Sequence, residues 1–250
     1  MTLHGVIFDL GGTLLHYTAP GGSWEDTEKT GAKAVYDLLY EAGYPLPPLV
    51  QALATAWDQA LAMWSRLIRT PDTSDLYLNR QLGLLARRWG VDGIPPEMLD
   101  ALAGAYMAAI QSYVRPLDGA VDTLRGLRGR GLRTGLISNT IWPGSSHRRD
   151  LDRYGLTPYL DDQVFSADAG AWKPHRDIFE MELTALALKP EEAIFVGDSL
   201  YFDVWGAQQA GLRGVWIEQK VRWLPDGLEV TPDAIIQNLP ELLDVIETWR

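Results

Sequence analysis

Apolar and polar residues follow two different periods along this chain, and the change between them divides it. Residues 4–8, HGVIF, make a short, mostly apolar run that ends at Asp9 and is followed by Gly11 and Gly12. That is the pattern of a buried strand running into a loop. Beyond a Gly- and Pro-containing stretch at 18–23, the period becomes helical. Val50, Leu53, Trp57, Leu61, Trp64 and Ile68 recur at spacings of three and four, as do Leu78, Leu82, Leu85 and Trp89, and then Leu99, Leu102, Tyr106, Ile110 and Tyr113. With residues 25–41 they predict about four helices, broken at 43–48, 70–74 and 90–96 where Gly, Pro and small polar residues gather. No clear strand signal interrupts them.

From residue 116 the two periods alternate. The pattern predicts a helix at 119–130, a strand at 132–137, a helix at 148–154, a strand around Val164, a helix at 177–188 and a strand at 193–196. A helix at 200–210, a strand at 214–217 and a final helix at 239–249 follow. Strands alternating with helices imply a parallel sheet covered on both faces. The expected fold is therefore α/β, a doubly wound parallel sheet built from residues 1–15 and 116–250, interrupted by an all-helical insert at 16–115.

Composition narrows the function. Of 250 residues 46% are hydrophobic, the formal net charge is −11 and there is no cysteine. Disulfide frameworks, thiolate zinc sites and cysteine nucleophiles are excluded. His4, His16, His147 and His175 are too scattered for a histidine-rich metal cluster. The acidic balance disfavours a nucleic-acid partner, which needs a basic surface, but leaves room for a small or metal-shielded anionic substrate. The opening MTLHGVIFDL lacks a basic region followed by a long apolar one, so it does not resemble a signal peptide. No run reaches ~18 apolar residues, so no membrane partner is expected and the expected location is cytoplasmic. On oligomeric state the sequence is silent.

In open α/β sheets ligands bind beyond the carboxyl ends of the strands, and four apolar runs end in polar residues. These are Asp9 in FDLGGTL, Ser138 in LISNT, Lys173 in WKP, and Asp198 with Asp203 in FVGDSLYFD. Singly, such residues are commonly helix caps, turns or solvated charges. Together, a carboxylate nucleophile, a hydroxyl donor, an ammonium and two further carboxylates are what phosphoryl transfer with a divalent cation requires.

These four motifs, in this order, resemble the haloacid dehalogenase superfamily, which includes many magnesium-dependent phosphatases. The resemblance covers essentially the whole chain, the helical insert looking like the family's cap. It implies Asp9 as the nucleophile that accepts the phosphoryl group, with Ser138, Asn139 and Lys173 holding its oxygens. It also implies Mg²⁺ bound by Asp9, Asp198 and the backbone carbonyl of Gly11, and Asp203 supporting either the metal's waters or Lys173. The expected activity is hydrolysis of a small phosphorylated metabolite. The chain departs from the phosphatase pattern at Gly11, where the family usually has a second aspartate as general acid and base. His16 or a cap residue could supply that proton, although a His at that place is ordinarily a loop residue. Dehalogenase-like members usually carry Tyr there and phosphonatase-like members Ala, so a dehalogenase-type hydrolase and a weak pseudo-hydrolase binding a phosphorylated ligand stand as alternatives. DLGGT by itself also looks like the phosphate loop of actin-like sugar kinases, whose second phosphate loop is missing here. Arg66, Arg69, Tyr17 and Trp24 are the insert's candidates for substrate selection.

Overall fold

In the computed structural model, which describes residues 2–67, 77–220 and 222–249, the chain begins with β1 (Gly5–Phe8) and the two-residue β2 (Leu15–His16). Four helices follow: α1 (Trp24–Glu41), α2 (Leu49–Leu67), α3 (Leu78–Arg88) and α4 (Pro96–Gln111). The chain then passes through β3 (Arg115–Pro116), α5 (Ala120–Gly129), β4 (Arg133–Ser138), α6 (Gly144–Arg153), β5 (Asp162–Phe165), the single turn α7 (Ser166–Ala169) and α8 (Arg176–Ala185). It continues with β6 (Ala193–Gly197), a π-helical turn at Leu200–Trp205, α9 (Gly206–Gln209), β7 (Arg213–Ile217), β8 (Ala234–Ile236) and α10 (Glu241–Trp249).

Six strands form one parallel sheet in the order β5–β4–β1–β6–β7–β8. From β1 the chain adds strands first on one side and later on the other, so the order reverses beside β1, the place where such sheets open a crevice. All four β1 residues are buried, which a strand covered on both faces requires. Ile7 packs with Ile178 and Phe179 of α8, Phe195 of β6 and Ala207 of α9. Val6 and Phe8, one step along the pleat, are equally buried and point to the opposite face. The all-parallel sheet and its helical covering are the doubly wound α/β architecture expected from the alternation.

Residues 1–16 with 115–250 form one compact unit and 17–114 another. A short antiparallel ribbon pairs Leu15 with Pro116 and His16 with Arg115, which places both outer residues in the α/β unit. His16, expected in a loop, therefore lies in a strand; two residues are too few to show a period of two. β8, α7 and the ribbon carry no signal of their own in the sequence, and α6 begins at Gly144, four residues before the expected start.

Within the helical unit Ser23 and Asp26 form a capping box at the start of α1, each side chain bonded to the other's backbone N–H at 3.1 and 2.9 Å. The buried face of α2 differs from the expected stripe. Val50 is 83% exposed and Leu61 40%, while Ala52, Ala56, Ala60 and Met63 are buried. Alanines let neighbouring helices approach, and the larger Trp57 and Trp64 flank the contact, meeting Trp24 edge to face at 4.8 and 5.7 Å. In α3 and α4 most of the expected positions are buried, including Leu82, Leu85, Leu102, Tyr106 and Ile110, with Trp89 just beyond α3, while Leu99 and Tyr113 are half-buried. Ile68, Arg69 and the break at 70–74 lie outside the described residues.

Candidate active site

The candidate site lies at the carboxyl ends of β1, β4 and β6. Asp9 follows β1, Ser138 ends β4, and Asp198 follows β6. Because β1 sits between the other two strands, residues far apart in sequence emerge side by side. Lys173 arrives on the segment between α7 and α8, and Asp203 from the π-helical turn.

The ammonium of Lys173 is the hub. Nζ donates to Asp9 Oδ1 at 2.6 Å and to Asp203 Oδ1 at 2.7 Å, and the side chain is 1% exposed. Burial pulls its pKa down, but the carboxylates of Asp203 and Asp9 outweigh that, and it titrates above its ordinary value. Asp203 is itself fixed, its second oxygen accepting the Ser199 N–H at 2.9 Å. Of the two roles the resemblance implies for Asp203, the contact observed is with Lys173.

Asn139 has a role that sequence alone did not disclose. Its side chain clasps the backbone of Lys173, Oδ1 accepting the Lys173 N–H at 2.8 Å and Nδ2 donating to the Lys173 carbonyl at 3.0 Å. This pair of bonds fixes where the lysine leaves the chain. Ser138 is buried at the strand's last position.

Asp9, Asp198 and Asp203 each offer an oxygen, and these atoms lie within 4.8 Å of one another. Burial, together with the charges of Asp9 and Asp203, pushes the Asp198 carboxyl well above the usual range, Lys173 opposing. Burial likewise raises Asp203 against the pull of Lys173. Three carboxylates around one ammonium leave an excess of negative charge, and the donor set is entirely hard oxygen, so the cluster suits a divalent cation such as Mg²⁺. The backbone is shaped for it as well. Gly12 has φ +81°, and a Cβ there would lie 2.2 Å from Asp198 Oδ2, so a side chain would displace that carboxylate. Trp216 of β7 holds the same segment from behind, its Nε1 donating to the Asp198 carbonyl at 2.9 Å.

His16, the residue named as a replacement for the general acid missing at Gly11, is poorly suited to that role. His16 is half-buried; burial and the nearby Arg115 lower its pKa, with Asp118 opposing, which disfavours the protonated form a general acid needs. Of the candidates for substrate selection, Tyr17, Trp24 and Arg66 belong to the helical unit, and Trp24 is committed to Glu28 through its indole N–H at 3.1 Å.

A family model described as haloacid dehalogenase-like hydrolase matches residues 3–211. Among curated proteins, a glyceraldehyde 3-phosphate phosphatase of Pyrococcus furiosus is 36% identical over 153 residues, 61% of this chain and 63% of that protein. A phosphoserine phosphatase of Thermus thermophilus is 34% identical over 151 residues, 60% of this chain and 58% of that protein. The aligned stretch thus spans less than two thirds of either relative. Among solved structures, a 2-haloacid dehalogenase from Pseudomonas syringae pv. Tomato superposes with a TM-score of 0.71 at 25% identity, covering 100% of both chains. Among the described residues no helix is long and apolar enough to cross a membrane.

Proposed function

The chain belongs to the haloacid dehalogenase-like hydrolase family, and on that premise we propose that it is a cytoplasmic, Mg²⁺-dependent phosphatase of a small phosphorylated metabolite. The observation that carries the reading is the convergence of Asp9, Asp198 and Asp203 around the buried ammonium of Lys173. The phosphatase names of the two curated relatives support it, and their different substrates leave the metabolite open.

Asp9, Asp198 and the Gly11 carbonyl would hold the Mg²⁺, whose charge would offset repulsion between Asp9 and an anionic substrate. Lys173 and the Ser138 hydroxyl bind the oxygens of the transferring group. An Asp9 carboxylate oxygen attacks phosphorus while the bond to the leaving oxygen breaks, which gives an aspartyl-phosphate and the free alkoxide. Gly11 carries no side chain to protonate that alkoxide, so its proton comes from water or from elsewhere. Water then attacks the phosphorus of the acyl phosphate, releases inorganic phosphate and restores Asp9. Asp203 and Asn139 hold Lys173 in place throughout. Substrate selection is assigned to the inserted helical unit, in keeping with the family resemblance.

The test is hydrolysis of an aryl phosphate and a panel of metabolite phosphates with and without Mg²⁺, for wild type and Asp9→Asn. Turnover that needs Mg²⁺ and is abolished by the substitution supports the proposal. The whole-chain likeness to a 2-haloacid dehalogenase, with Gly11 in place of aspartate, favours one second reading, in which Asp9 attacks carbon and displaces halide. Halide release from a 2-haloacid without Mg²⁺, and no phosphate release, would replace the first reading with the second.

A further inference from the structure

Sheet pairing between β4 and β5 ends at Ser138 and Phe165, so the backbone just beyond Ser138 has no strand neighbour to hold it. One hydroxyl takes over. Ser166 Oγ accepts the Thr140 N–H at 2.7 Å and donates to the Thr140 carbonyl at 2.8 Å, extending the ladder with a side chain. The Thr140 side chain carries the connection onward: its Oγ1 accepts the Trp142 N–H at 3.0 Å and lies 2.7 Å from His147 Nε2. The imidazole is sandwiched between Trp142, at 5.2 Å and 8°, and Phe165, at 5.5 Å and 13°. Thr140, His147 and Ser166 are all buried. Burial pushes the His147 pKa down to about 3, so the ring is neutral at working pH and serves as a fixed hydrogen-bonding partner rather than a proton carrier.

We propose that Thr140, His147 and Ser166 form a positioning lock that fixes the chain beyond β4, so that the Ser138 hydroxyl meets the transferring phosphoryl group in one place. Together with the Asn139 clasp on Lys173, the lock sets the spacing between the two groups that bind the phosphoryl oxygens. The three residues act through Ser138 and are positioning residues. The inference rests on the phosphatase reading of the same site.

The discriminating variant is Thr140→Val, which keeps the shape and removes the hydroxyl, with Thr140→Ser as the conservative rescue. Two quantities are measured: kcat and KM on an aryl phosphate with Mg²⁺, and hydrogen exchange of the Trp142 amide. Misplacing a binding group by ~1 Å costs up to about 10²-fold in rate. Thr140→Val is therefore expected to lose about 10- to 100-fold in kcat/KM, chiefly in kcat, with faster exchange at Trp142. Thr140→Ser should restore both. An active wild type matched by an equally active Thr140→Val overturns the lock. So does a loss that follows only the melting temperature and is not rescued by serine. A wild type that hydrolyses no phosphate removes the phosphatase reading instead, and with it this role.

Discussion

Replacing Glu182 by glutamine should stabilise the protein at neutral pH, by an amount that follows from where its carboxyl lies. Glu182 is on α8 and fully buried against the sheet. Its Oε1 accepts the Leu136 N–H at 3.1 Å, and it comes so close because residue 135 is glycine, where a Cβ would sit 2.0 Å from that oxygen. Burial, then the charge of Asp162 and a hydrogen bond with it, raise the pKa from 4.5 to about 9, the Leu136 N–H opposing. The folded protein therefore keeps a proton at pH 7 that the unfolded chain has released. The contribution of this carboxyl to stability is highest below pH 4.5, declines as pH rises and levels off near pH 9. At about 1.4 kcal/mol per pH unit, holding that proton costs about 3 kcal/mol by pH 7. This figure depends only on the folded value lying well above 7.

Glutamine is neutral in both states. Its carbonyl can accept the Leu136 N–H and its amide can donate to Asp162. Glu182→Gln should thus gain up to about 3 kcal/mol at pH 7, read as a rise of roughly 2–4 °C in Tm per kcal/mol, and nothing near pH 4.5. Thermal melts of both proteins from pH 4.5 to 9 test it. Parallel pH profiles, or a variant less stable than wild type at pH 8, would refute the reasoning.

Lys173→Met leaves Asp9 and Asp203 buried without their cation, which should cost about 3–5 kcal/mol of stability; a melt unchanged from wild type would contradict the hub role of the lysine. Gly11→Asp should raise turnover of unactivated phosphate esters by about 10²-fold or more, the contribution of a general acid, because Gly11 is not among the glycines held in the left-handed region. Initial rates on such an ester decide, and an unchanged kcat means the proton already has a donor. His16→Ala should leave turnover within about 2-fold of wild type, since a general acid contributes far more than that; a hundredfold loss would identify His16 as the donor.

Elements long enough to repeat a pattern were legible. β1, β4, β6 and β7 stand out as apolar runs, and α3 and α4 bury most of the side chains their spacing indicates. In α2 the spacing located the helix but not its buried face, because alanine at 52, 56 and 60 packs by being small, a property that hydrophobic periodicity undervalues. β2 and β3, two residues each, are created by their pairing and have no independent signature.

The same division runs through the site. Asp9, Ser138 and Asp198 each end or follow an apolar run and could be found locally. What holds them could not, because it depends on strand order: Trp216 reaches the Asp198 carbonyl only since β7 lies beside β6, and Ser166 reaches Thr140 only since β5 lies beside β4. The charge balance is likewise collective. A motif shows that three aspartates and one lysine are present, but only their assembly shows that the lysine is spent on Asp9 and Asp203, while among the described residues no ammonium is paired with Asp198. Asp198 is therefore the carboxylate that gains most from a divalent cation. A cation that binds only the folded chain stabilises it in proportion to RT ln(1 + [L]/Kd), so the stability and the proposed chemistry of this site draw on the same uncompensated charge.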